Sequence, residues 1–103
     1  MRFGLIGLGG IGAVRRQALQ VCKCTQLTAA FDLDKSLVNT LDSEVTLFDS
    51  AEQLFASDSC DAVIISTPTQ FHKDLAIAAL ENGKHVIVEK PMASTLQDSK
   101  AML

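Results

Sequence analysis

The sequence predicts an α/β fold, a doubly wound parallel sheet between two layers of helices. Three observations lead there. Short apolar runs alternate with helix-periodic segments along the whole chain, which argues for parallel strands joined by crossover helices. The clearest run, Ala62 to Ile65, is apolar at every position, as a strand covered on both faces should be. Glycines and polar residues collect where the runs end, at Gly7 to Gly12, Asp32, Ser66 to Thr69 and Glu89 to Pro91. In a doubly wound domain those carboxyl ends of strands are where ligands bind.

Each element has its own signal. Phe3 to Ile6 is an apolar run that stops at Gly7, and a helix pattern follows from Ile11 to Leu19. That helix is expected to turn Ala18 and Leu19 to the same side as Ile11 and Val14 or Arg15. Leu27 to Phe31 reads as the second strand, ended by Asp32, and KSLVNTL as a short helix. Val45 to Phe48 is the third strand. Ser50 with Gln53 three residues on is a capping-box start for the next helix. Ala62 to Ser66 is the fourth strand, closed by Pro68. A helix over about Gln70 to Asn82 ends where Gly83 can serve as its C-cap. His85 to Val88 is the fifth strand, and Ser94 with Gln97 opens a last helix toward Leu103.

The bulk numbers bound the function. The chain of 103 residues is one domain long, and 48% apolar residues can build a real core. Twelve acidic against nine basic residues, with no basic tract, point away from nucleic acid. No apolar run reaches the ~20 residues that span a bilayer, and no signal-peptide pattern opens the chain. Cys22, Cys24 and Cys60 form neither a C-x-x-C nor an even set. They are expected to be buried or half-buried free thiols in a reducing compartment, here the cytoplasm. No ligand-spaced Cys/His set is present, so no metal site is expected.

GLGGIG fits G-x-G-x-x-G at Gly7, Gly9 and Gly12, after a strand and at the opening of a helix. Gly7 permits the turn, Gly9 lets a pyrophosphate approach the backbone, and Gly12 lets helix and sheet pack closely. Unpaired N–H groups of the first helical turn are then available to phosphates. Asp32 lies 20 residues past Gly12 and can accept the hydroxyls of the adenine-side ribose. Asp34 is its rival, better suited to the start of the following helix. A carboxylate at Asp32 followed by Leu33 favours NAD over NADP. Arg15 and Arg16 read as solvated surface charges.

Two further clusters stand at strand ends. In STPTQFH, Thr67 and Pro68 are expected to line the middle of the ligand groove. His72 is either a local hydrogen-bonding group or faces the ligand. In EKP, Lys90 is either a plain surface lysine or a group that orients a hydroxyl and assists proton transfer. Glu89 is a candidate for pairing with another residue to hold the loop.

GLIGLGGIG, AAFDLD and, most specifically, STPTQFHKDLAIAALENGKHVIVEKPMAST resemble the Gfo/Idh/MocA oxidoreductases. The resemblance covers essentially the whole chain. It implies a Rossmann-like domain that binds NAD, or less readily NADP, in enzymes that oxidise or reduce sugars, cyclitols and related compounds. On that resemblance Gly7, Gly9, Gly10, Ile11 and Gly12 hold the pyrophosphate and Asp32 the ribose. Thr67, Pro68 and His72 lie along the cofactor. Glu89 and Lys90 lie near the nicotinamide, with Lys90 the catalytic residue touching substrate. A complete member adds a sixth strand and a second α/β domain bearing an Asp and a following His as acid/base pair. Residues 1–103 are therefore expected to form a nucleotide-binding domain without its last edge strand or substrate domain. Its exposed edge invites self-association. The alternative expectation is a non-catalytic dinucleotide-binding or regulatory domain, or a truncated remnant of the enzyme.

Overall fold

The computed structural model describes residues 1–38 and 41–103. Five strands, β1 (Arg2–Ile6), β2 (Gln26–Phe31), β3 (Thr46–Leu47), β4 (Ala62–Ile65) and β5 (His85–Val88), form one sheet in the order β3-β2-β1-β4-β5. All four pairings are parallel. The helices are α1 (Ile11–Val21), α2 (Lys35–Val38), α3 (Ala51–Ala56), α4 (His72–Glu81) and α5 (Leu96–Met102). A 3₁₀ turn, Thr69–Phe71, leads into α4. The predicted third strand is shorter than expected. Asn39 and Thr40 of the predicted KSLVNTL helix lie outside the described residues.

Alternation along each strand divides the core in two. Phe3 and Leu5 of β1 join Leu19, Ala30, Val38, Ala62 and Ile64 on the α1 face. Ile6, Ala29, Val63 and Ile65 join Leu54, Phe55, Ala76, Ala79 and Met102 on the face of α3, α4 and α5. This is the three-layer arrangement, and it explains why β4 has no polar position. Each aliphatic side chain fully buried there contributes roughly 1.5–3 kcal/mol. β5 is covered on one face only, so Val86 and Val88 pack inward while His85 and Ile87 remain exposed.

The caps follow the sequence closely. Ser50 Oγ accepts the Gln53 N–H at 3.1 Å to start α3. Gly83, at φ 76°, ends α4, with its N–H on Leu80 O and the Lys84 N–H on Ala79 O. At α5 the cap is Thr95, whose Oγ1 accepts the Asp98 N–H, one residue beyond the predicted Ser94. The rotation of α1 is the larger correction. Gly12 and Leu19 face the sheet, and Ile11, Val14 and Ala18 face outward. The close approach at Gly12 sets this rotation: a Cβ there would stand 2.1 Å from Gly7 O.

Candidate functional site

The strand order reverses between β1 and β4, so the loops after these neighbours diverge and open a crevice at the carboxyl edge. A cleft of about 630 Å³ lies there. Gly7 and Gly9, Asp32 and Leu33, and Ser66 to Pro68 line it, closed on the far side by the starts of α3 and α4.

The glycines of GLGGIG differ physically. Gly7 has φ 92°, its N–H donates to Phe31 O at 3.0 Å, and a Cβ would meet Ser66 O at 2.8 Å. Gly7 and Gly12 are therefore required by the chain's own packing. Gly9 is not: a Cβ there would make only an ordinary contact, 3.5 Å from Leu37. Gly9 lines the cleft, where a side chain would project without a clash with the protein.

The first turn of α1 is partly satisfied internally. The Gly12 and Ala13 N–H groups donate to Gly9 O and Gly10 O at 2.8 and 3.2 Å. Among the described residues, the Gly9, Gly10 and Ile11 N–H groups have no hydrogen-bond partner, and Gly10 gives no side-chain cap. Ser66 Oγ is buried and also lacks a partner among the described residues. Buried polar groups seldom remain so unless a ligand or water completes them.

Asp32 is fixed over this loop. Its Oδ2 accepts the Leu8 N–H at 2.7 Å and its Oδ1 the Asp34 N–H at 2.7 Å. Each oxygen keeps a lone pair for a further donor. Asp34 instead starts α2, accepting from the Ser36 N–H and hydroxyl, which lowers its pKa. The cleft carries carboxylates at Asp32, Asp49, Glu52 and Asp74, and no Lys or Arg among its lining residues. Lys35 stands 3.8 Å from Asp49 as its counter-charge.

The EKP loop is held from three sides. The Glu89 N–H donates to Ile65 O at 3.1 Å, extending the β4–β5 ladder. Arg15 of α1 clasps the Glu89 carboxylate with both Nε and Nη2. Glu89 is only 14% exposed, and Arg15 holds its pKa below the ordinary carboxylate value, with His72 adding to the effect. Arg15 is thus not the solvated charge that its place on a helix suggests. The sequence carried no signal for this, because its partner lies 74 residues away. Pro91 O, after the cis Lys90–Pro91 bond, lies 3.0 Å from His72 Nδ1.

His72 is buried, not open to the groove. Its Nε2 lies 2.9 Å from Thr67 O, so the ring joins the loop after β4 to the loop after β5. Each ring nitrogen thus faces a backbone carbonyl oxygen. Lys90 is exposed at the end of β5, beyond the cleft's lining. The fold thus brings Gly7, Gly9, Asp32, Thr67 and Pro68 to one cleft. Glu89 and His72 brace the loop that presents Lys90.

A phosphate-loop glycine set, a carboxylate at the end of β2 and a cleft at the switch point define a dinucleotide-binding domain. The profile of an oxidoreductase family described as having an NAD-binding Rossmann fold matches residues 1–103. The chain belongs to that Gfo/Idh/MocA family, as its NAD-binding domain. Among its relatives is 1,5-anhydro-D-fructose reductase of Ensifer adhaerens, 34% identical over 99% of this chain and 32% of that protein. Inositol 2-dehydrogenase/D-chiro-inositol 3-dehydrogenase of Shouchella clausii is 35% identical over 92% of this chain and 29% of its own length. The crystal structure of an NAD-binding protein from Listeria innocua superposes with a TM-score of 0.89. It is 32% identical, covering 98% of this chain and 30% of that one. The chain spans about three-tenths of the length of the relatives it matches.

Proposed function

We propose that this chain holds NAD(H) for an oxidoreductase that moves hydride between the nicotinamide and a sugar, cyclitol or related hydroxy compound. The observation that carries the reading is the cradle at Gly9: an open Cα, three unpartnered N–H groups beside it, and the Asp32 carboxylate across the loop. Gly7 to Gly12 would take the pyrophosphate, with Gly10 and Ile11 offering N–H donors. Asp32 would take the adenosine ribose, and Thr67 and Pro68 would border the cofactor's middle. An acidic cleft disfavours the extra 2′-phosphate of NADP. The names of the sugar reductase and inositol dehydrogenase relatives support the substrate class.

The bound nicotinamide supplies the hydride chemistry at C4. The chain's own part is position and charge. Lys90 would orient the substrate oxygen and assist the proton transfer there. Glu89, clasped by Arg15, and His72, on Pro91 O, keep that loop in place. We place the protein in the cytoplasm, where a free thiol such as Cys60 would stay reduced. The outer edge of β5 would pair with a further strand, from a longer chain or a second copy.

Titration with NADH and NADPH tests the cofactor. NADH should bind at least ~10-fold tighter, and equal or tighter NADPH binding would refute the Asp32 assignment. In the protein made from the full reading frame, Lys90→Met should abolish NAD-dependent polyol oxidation and spare NADH binding. Retained turnover would remove Lys90 from the chemistry.

A further inference from the structure

Nothing in the cofactor site uses the two thiols in the turn between α1 and β2. Cys22 follows α1 and Cys24 comes two residues later; both are exposed, unlike the buried Cys60. The expectation of buried or half-buried free thiols holds only for Cys60. The Cys22 and Cys24 sulfurs lie 3.2 Å apart. The backbone holds them there. The Cys22 N–H donates to Ala18 O at 3.1 Å, and Thr25 Oγ1 donates to Leu19 O at 2.9 Å. Both ends of the Cys-x-Cys segment are thereby tied to the last turn of α1.

A disulfide needs ~2.05 Å between sulfurs, so closure asks for about 1 Å of movement in a surface turn. The S–H···S contact also makes the two thiols unequal. Hydrogen bonding from Cys24 lowers the Cys22 pKa, and the same contact raises that of Cys24. An exposed thiol with a second thiol in reach to resolve the mixed disulfide is the arrangement that exchange chemistry needs.

We propose that Cys22 and Cys24 form a reversible thiol–disulfide exchange site for a small disulfide such as oxidised glutathione. The Cys22 thiolate attacks one sulfur of the small disulfide. A Cys22–sulfur bond forms, the small molecule's S–S bond breaks, and the first small thiolate leaves. Cys24, deprotonated in turn, attacks Cys22 Sγ and expels the second small thiolate. Two protein thiols are oxidised to one disulfide, one small disulfide is reduced to two thiols, and the two protons pass to those thiols. The turn lies at the amino ends of β1 and β2, where the Gln26 N–H bonds Met1 O at 3.1 Å, opposite the cofactor cleft.

The test treats the folded chain with oxidised glutathione near neutral pH, traps free thiols by alkylation, and maps peptides by mass. The wild-type chain should lose two hydrogens, join Cys22 to Cys24 and leave Cys60 as a thiol. Reduction with a small dithiol should restore it. Cys24→Ser should stop at a stable Cys22–glutathione mixed disulfide, formed at least ~10-fold faster than any adduct on Cys60. The proposal is overturned if both thiols stay free, if wild-type protein keeps glutathione without ring closure, or if a disulfide-linked dimer forms instead.

Discussion

Gly9 and Gly12 are both glycine, for reasons that a pair of substitutions separates. Gly12→Ala puts a methyl 2.1 Å from a backbone oxygen that cannot swing aside. Overpacking of that kind costs about 1–3 kcal/mol or more, so melting temperature should drop by several degrees. Gly9→Ala meets only Leu37 at 3.5 Å, and Gly9 is not at positive φ. Its melting temperature should match wild type while NADH affinity falls at least ~10-fold, read by calorimetric titration. Wild-type affinity in Gly9→Ala would mean that the cradle is not the pyrophosphate site. The identity of these glycines was legible because the turn, strand and helix around them are local. Their separate roles were legible too; the atoms that enforce them, Ser66 O against Gly7 and Gly7 O against Gly12, emerge only in the folded chain.

Elements were legible in proportion to how local their causes are. Ser50 and Gly83 announced helix ends because caps act over three or four residues. In α1 the apolar spacing groups Leu19 with Ile11, Val14 and Ala18, but the fold buries Leu19 and leaves the other three exposed. The close approach of Gly12 overrides that pattern. The loops after β4 and β5 show the same limit. His72 was singled out by its motif, yet its partners, Thr67 O and Pro91 O, emerge only when α4 lies beside both loops. His72→Ala removes a buried ring and its contacts to both loops. It should destabilise the fold by about 2–4 kcal/mol in denaturant titration, whereas exposed Lys90→Ala should change stability by less than ~0.5 kcal/mol. Equal stabilities would show that His72 does not join the loops.

At the scale of the molecule, a charge clasp ties the amino edge of the sheet. Arg2 donates from Nε and Nη2 to the Asp61 carboxylate at 3.2 and 2.9 Å, and its N–H adds a third bond. Asp61 is thereby lowered from 3.8 to about 2. A depressed folded pKa means that the stabilisation is complete above about pH 4 and is lost as pH falls toward 2. Melting curves for wild type and Asp61→Asn should differ at neutral pH and converge over that window. A gap that stays constant down to pH 2 would contradict the clasp. Glu89 has the same sign through Arg15, so the EKP loop should also loosen in acid.

The strand order and the cleft at the switch point organise all of this around one cofactor. The most direct test is an amide NMR titration of the chain with NADH. The account predicts saturable shifts concentrated at Gly7 to Gly12, Asp32, Leu33, Ser66 and Thr67, with the α1–β2 turn unmoved. Shifts absent at those amides, or centred on the opposite edge of the sheet, would contradict it.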